Sequence, residues 1–112
     1  MRILVTGGAV TINGDGGQTR DYVCVGDVVN ANVLSLTRGD GEIFNIGSGI
    51  ETSVNELARN ILRVTMCKEN PKYGEAKLGE QKRSVIDATK AKKPLGWPWT
   101  NVLKEQLNGL RD

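Results

Sequence analysis

The sequence predicts an α/β fold, a small mixed sheet with three or four helices, and three observations predict it. Short runs rich in β-branched residues alternate with stretches whose apolar residues recur at helical spacing. Clusters of glycine, asparagine and aspartate fall between them as turn signals. The length of 112 residues, with 38% apolar and 25% charged residues, suits one small domain rather than two independent cores.

Each element has its own signal. Ile3 to Val5 is a continuous apolar run that Thr6, Gly7 and Gly8 close, the pattern of a buried parallel strand ending in a turn. Val10 to Ile12 reads as a second strand. Asn13 to Gly17 holds three glycines, an asparagine and an aspartate for a turn, and Tyr22 to Val25 has the composition of a third strand. Asp27 is placed to cap a helix over about Val28 to Leu36, with Val29, Val33 and Leu36 on one face and Gly39 as its stop.

Glu42 to Ile46 reads as the next strand, broken by Gly47-Ser48-Gly49. Ser53 and Glu56 then form a capping box for a helix in which Val54, Leu57, Ala58, Ile61 and Leu62 share one stripe. Pro71 and two glycines make Asn70 to Gly79 irregular or a short strand. Asp87 caps a short helix that Pro94 must end or distort. Thr100 is placed to cap a final helix with Leu103, Leu107 and Leu110 on one side.

Composition excludes several functions. A net charge of +2, from 15 basic and 13 acidic residues, is too weak for a nucleic-acid or membrane surface, and the basic run between Lys68 and Lys93 reads as a solvated face. Cys24 and Cys67 lack CxxC spacing and the chain has no histidine, which removes the common zinc patterns and the Cys/His or Ser/His catalytic pairs. Both cysteines read as reduced thiols, and no metal is expected. The opening apolar run is too short for a signal peptide and nothing approaches the roughly 18 apolar residues of a membrane span, so the expected compartment is the cytoplasm.

One stretch is specific enough to carry a resemblance. Gly14 to Val23, G-D-G-G-Q-T-R-D-Y-V, with Phe44 to Gly49, F-N-I-G-S-G, and the T-S-V-N-E-L of Thr52 to Leu57, resembles the NAD-dependent epimerase/dehydratase family of extended short-chain dehydrogenases, in particular its UDP-glucose 4-epimerase-like members. The opening M-R-I-L-V-T-G-G-A resembles the first strand and glycine turn of that family's cofactor domain. In the family, further strands and the catalytic centre separate these two pieces, so the junction near Ala9 and Val10 reads as a large internal deletion. Residues 1–9 are then a remnant of the cofactor domain and 10–112 a substrate-binding-type domain, the whole forming one compact domain derived from the substrate-binding half of a Rossmann-type epimerase.

The resemblance implies site residues, one by one. Arg20 stands where the family's arginine contacts the sugar-nucleotide diphosphate, and a guanidinium suits two phosphate oxygens at once. A surface pairing of Arg20 with Asp21 or Asp27 is the alternative. Thr11 and Asn13 fall in the segment that pairs its backbone with the uracil, or are plain strand residues. Ala76 to Ser84 resembles the loop whose arginine binds phosphate and whose acid reaches the ribose; Lys77 replaces that arginine and Glu80 keeps the acid. Lysine retains the charge and loses the bidentate fork.

The cofactor site is the weakest part of the match. Gly7 and Gly8 either still touch a phosphate or merely turn the chain, because Val10 and Asn13 stand where the family's later glycines belong. NAD serves the family, whereas this chain alone is expected to hold no cofactor. Tyr73 and Lys77 satisfy YxxxK spacing, yet Pro71 and Gly74 argue against the helix that the catalytic tyrosine requires, so no catalytic residue is assigned. Gly26, where the family commonly has a larger residue, is a further departure.

Three functions follow as expectations. The first is a truncated epimerase-like protein that binds a UDP-sugar weakly without turnover. The second is an epimerase active only with a partner or as an assembly. The third is an interaction module or a relic without activity, associating with another copy through an exposed former domain interface.

Overall fold

The structure, a computed structural model, describes residues 10–99 and 103–109. The expected strand at Ile3 to Val5 with Gly7 and Gly8, the Thr100 cap and Leu110 lie outside the described residues. The elements run β1 (Thr11–Asn13), β2 (Thr19–Arg20), α1 (Val25–Ser35), β3 (Thr52–Ser53), α2 (Val54–Val64), β4 (Lys72–Gly74), a 3-10 turn (Thr89–Lys92) and α3 (Leu103–Gly109). The α/β class with three helices stands. Its parallel and antiparallel pairings occupy two separate two-stranded sheets among the described residues.

β1 pairs in parallel with β4, Ile12 opposite Tyr73 and Asn13 opposite Gly74, so the stretch containing Pro71 takes the short-strand alternative. β2 pairs antiparallel with β3, Arg20 opposite Thr52. Between β1 and β2 the glycine turn closes on α2. Gly16 has a φ of 74°, and a Cβ there would lie 2.1 Å from Asn55 Oδ1. Only glycine meets both demands.

α2 forms as the sequence requires. Ser53 Oγ accepts a hydrogen bond from Glu56 N at 3.1 Å, satisfying one orphan amide of the first turn. Val54, Leu57, Ala58 and Leu62 are buried and Ile61 packs beside them. Val10, Ile12, Val54, Ala58 and Leu62 make one apolar cluster; Leu57, Val64 and Leu107 of α3 make a second. A third gathers Ala31 of α1 with Ala91, Leu95 and Trp97, and there the Trp97 Nε1 donates to Asp27 O at 2.8 Å.

Three expectations are corrected. Tyr22 to Val25 and Glu42 to Ile46 are not strands: residues 22–24 and 42–46 form no ladder, and Val25 already belongs to α1. Extended, branched residues become a strand only where a neighbouring backbone is available to pair, and propensity alone does not supply one. α1 begins three residues earlier than expected, with Cys24 at its N-cap, and Asp27 is buried in the first turn instead of capping it. The Val29, Val33 and Leu36 face points to solvent, while Asp27 and Ala31 lie on the covered side. The helix expected after Asp87 is a 3-10 turn that stops before Pro94, and Asp87 Oδ1 accepts from Thr89 N at 3.0 Å.

Candidate functional site

A cleft of about 320 Å³ opens between β1, β2 and the loop that follows β4. Thr11, Asn13, Arg20, Lys77 and Glu80, nominated from three separate segments, all line it. Parallel pairing with β4 exposes Thr11 while burying Ile12 beneath it, because side chains alternate along a strand. Asn13 O accepts from Gln18 Nε2 at 3.0 Å, which ties the end of β1 to the start of β2.

Arg20 is the anchored cation of the cleft. Its Nη1 donates to Thr19 O and Gln81 O, each at 2.6 Å, and its Nη2 lies 3.4 Å from Glu80 Oε1. The surface pairing with Asp21 or Asp27 is therefore not the one formed: Arg20 meets Glu80 across the cleft. Two backbone carbonyls orient the guanidinium, so little side-chain freedom remains to be lost when an anion arrives. Lys77 also lines the cleft and, among the described residues, forms no ion pair. It sits on a turn closed by Glu80 N donating to Lys77 O at 3.4 Å, with Gly79 at a φ of 77°.

A second cleft of about 540 Å³ borders the first and shares Asn13, Gln18, Lys77 and Glu80 with it. It adds Lys82 and Arg83, so cations stand on both sides of the Lys77–Glu80 turn. Arg83 is already engaged. Its Nε and Nη2 grip the two oxygens of Glu51 at 2.9 and 2.7 Å, and Thr19 Oγ1 donates to the same carboxylate at 2.8 Å. The Arg83 hydrogen bond, then that of Thr19, holds the Glu51 carboxyl down at about 2. This clamp fastens the loop after Glu80 to β2 and to the approach to β3.

Sequence reasoning missed Gln18, Arg83 and, above all, Asp21. Asp21 Oδ1 accepts from Ser48 N at 2.9 Å and Ser48 Oγ at 2.6 Å; Oδ2 accepts from Gly49 N at 2.9 Å and Ile86 N at 3.2 Å. Burial pushes this carboxyl up, but the hydrogen bonds from Ser48, Gly49 and Ile86 outweigh it and its net position is below the usual carboxylate value. Gly47 is required for the approach, since a Cβ there would lie 2.7 Å from Ile86 Cβ and 2.9 Å from Asp21 Oδ2. The sequence shows an R-D pair and a G-S-G turn 27 residues apart, and contact between them is set by packing.

The Ser48 and Gly49 amides, which an external anion would need, are taken by Asp21, so the 47–49 turn is a structural join. Gly7 and Gly8 lie outside the described residues. Tyr73, the other half of the YxxxK spacing, sits on β4 with its hydroxyl donating to Asn55 Oδ1 at 2.8 Å. It is on a strand, not a helix. Neither Cys24 nor Cys67 is in a disulfide, and no group of metal-ligating side chains is found among the described residues. No described helix is long and apolar enough to cross a membrane.

Comparison with known proteins places this geometry in a class. The sequence profile of the GDP-mannose 4,6 dehydratase family matches residues 1–108, and the chain belongs to this family of NAD-dependent epimerases and dehydratases. Within it, the chain is 42% identical over 105 residues to the UDP-glucose 4-epimerase of Mycolicibacterium smegmatis, covering 93% of this chain and 34% of that protein. It is 46% identical over 96 residues to a putative UDP-glucose 4-epimerase of Methanocaldococcus jannaschii, covering 86% and 31%.

Solved structures agree with the assignment. A UDP-glucose 4-epimerase of Thermotoga maritima, crystallised with UDP-glucose, superposes with a TM-score of 0.85 at 44% identity over 88% of this chain and 32% of that one. A UDP-glucuronic acid 4-epimerase of Bacillus cereus, in complex with UDP-glucuronic acid and NAD, gives 0.82 at 27% identity over 93% and 34%. The chain spans about a third of the length of the relatives it matches.

Proposed function

We propose that this chain is a nucleotide-sugar-binding module of the epimerase type, which takes up a UDP-sugar in the cleft between β1 and the Lys77–Glu80 turn and does not turn it over alone. The observation that carries the reading is the convergence of Thr11, Asn13, Arg20, Lys77 and Glu80 on one cleft, with Arg20 oriented by two carbonyls. The diphosphate meets Arg20 and Lys77, the exposed edge of β1 faces the base, and Glu80 accepts from a ribose hydroxyl once an anion has replaced it at Arg20. A relative of 44% identity was crystallised with UDP-glucose, which supports the ligand class.

Affinity is modest. Lys77 offers a point charge where a fork would hold two oxygens. Turnover needs a hydride acceptor and an acid/base pair, and Tyr73 on its strand is no candidate for the latter. The test is an amide-resolved NMR titration with UDP-glucose and, separately, with NAD. Shifts confined to residues around Arg20, Lys77 and Glu80 with UDP-glucose, lost in Arg20→Ala, support the reading; a spectrum indifferent to UDP-glucose at millimolar concentration ends it.

A further inference from the structure

Arg83 and Arg20 each meet a glutamate, and they do so differently. Arg83 turns the edge formed by Nε and Nη2 toward Glu51 and holds both carboxylate oxygens, at 2.9 and 2.7 Å. That is the fork by which a guanidinium matches a carboxylate or a phosphate. Arg20 brings only Nη2 to Glu80, with Oε1 at 3.4 Å, and its Nε makes no hydrogen bond among the described residues. Its Nη1 is taken up by Thr19 O and Gln81 O. The Nε and Nη2 fork of Arg20 therefore has a loose occupant.

Exposure does not explain the looseness. The side chains of Arg20 and Glu80 are 26 and 25% exposed, whereas Arg83 is 78% exposed and still grips Glu51. Glu80 closes a tight turn in which its N donates to Lys77 O and Gly79 holds a φ of 77°, and this fixes how far its carboxylate reaches. The carboxylate thus stands at the edge of Arg20's anion position, in the same cleft as Lys77.

We propose that Glu80 is a specificity-determining residue of this cleft, which makes it favour a nucleoside diphosphate over inorganic pyrophosphate. The inference rests on the uptake of a UDP-sugar in this cleft and adds what the cleft rejects. An anion that takes the Arg20 fork deprives Glu80 of its paired cation and leaves the carboxylate beside a second negative charge. A carboxylate only accepts hydrogen bonds, so it needs a donor in exchange. A nucleoside diphosphate carries that donor on the same molecule, in its ribose hydroxyls. Pyrophosphate brings the charge without a hydroxyl placed for Glu80, so the pair is broken and nothing replaces it. Like charges brought together disfavour the wrong partner strongly, and a repulsive element separates ligands whose attraction to the site is shared. Lys77 cannot make this distinction, because it attracts the diphosphate of both.

The experiment is calorimetry of the full chain with UDP and with inorganic pyrophosphate, in the wild type, Glu80→Gln and Glu75→Gln. Glu75 is exposed in the same loop and lines neither cleft, so its variant makes the same change in net charge away from Arg20. Pyrophosphate affinity should rise at least about tenfold in Glu80→Gln while UDP affinity stays within about twofold, and Glu75→Gln should move neither beyond about twofold. The wild type should also bind 2′,3′-dideoxy-UDP at least about tenfold more weakly than UDP, a difference that Glu80→Gln loses. Circular dichroism checks that both variants keep their helices, and the dideoxy comparison needs only the wild type. Pyrophosphate affinity unchanged in Glu80→Gln, an equal rise in Glu75→Gln, or a wild type indifferent to the ribose hydroxyls overturns the inference. A wild type that binds UDP and gives any of these results ends this inference alone; one that binds no UDP ends the proposed function with it.

Discussion

Asp21→Asn removes one negative charge and half of an acceptor set while keeping the shape of the side chain. In the wild type the two carboxylate oxygens accept four hydrogen bonds, from Ser48 N, Ser48 Oγ, Gly49 N and Ile86 N, and so tie the end of β2 to two distant loops. An asparagine must turn its amide nitrogen toward one of those pairs. If it faces Gly49 N and Ile86 N, two donors confront a donor; if it faces Ser48, the hydroxyl can rotate to accept but the backbone amide cannot. Hydrogen bonds to a charged group are each worth about 1.5–3 kcal/mol, and the site is half-exposed, so water recovers part of the loss. The net cost is about 2–3 kcal/mol, a fall in Tm of roughly 10–20 °C for a domain of this size.

Thermal unfolding followed by circular dichroism measures it, and pH supplies an independent check. The Asp21 carboxyl titrates below its unfolded value of 3.8. Its stabilising contribution is therefore complete above that value and is lost as pH falls through the lower folded one. The gap between wild type and Asp21→Asn should be full at pH 7 and close below pH 3.8. Equal Tm values at neutral pH, or a gap that persists unchanged into acid, would show that the Asp21 carboxylate does not hold these loops.

Other consequences are as direct. Lys77→Arg restores a bidentate donor on the loop facing Arg20, and UDP affinity by calorimetry should rise about tenfold, the equivalent of one added charge-assisted bond. Gly16→Ala puts a Cβ 2.1 Å from Asn55 Oδ1 at a φ of 74°, and chemical denaturation should register a loss of about 1–3 kcal/mol. The Glu51 carboxyl, held at about 2 by Arg83 and Thr19 against 4.5 when free, contributes its stability fully above pH 4.5 and loses it toward pH 2. Arg83→Gln should remove that part of the acid dependence, seen as a flatter unfolding midpoint between those pH values.

Local signals were legible because their partners are close in sequence. The Ser53–Glu56 cap is a bond between residues three apart, and the Asp15 carboxylate meets the Gly17 amide two residues on at 2.8 Å. The stripe of α2 is read from one helix alone, and four of its five expected residues are buried. The residues of the candidate site were legible for a different reason: G-D-G-G-Q-T-R-D-Y-V is a specific string, and a resemblance that strong carries positions with it. Their meeting in a single cleft is a property of the fold.

The class, the turns, the best helix and the identity of five cleft residues are all encoded in short-range chemistry or in a recognisable string. Tertiary structure alone decided that Arg20 meets Glu80, 60 residues away, and that Asp21 takes the amides of the 47–49 turn. It also decided that residues 22–24 and 42–46 join no ladder and that the valine face of α1 is exposed. A β-rich segment needs a neighbour before it is a strand, and an apolar face needs a cover before it is a core. Both depend on which backbone and which side chains arrive beside them, and periodicity carries no record of that.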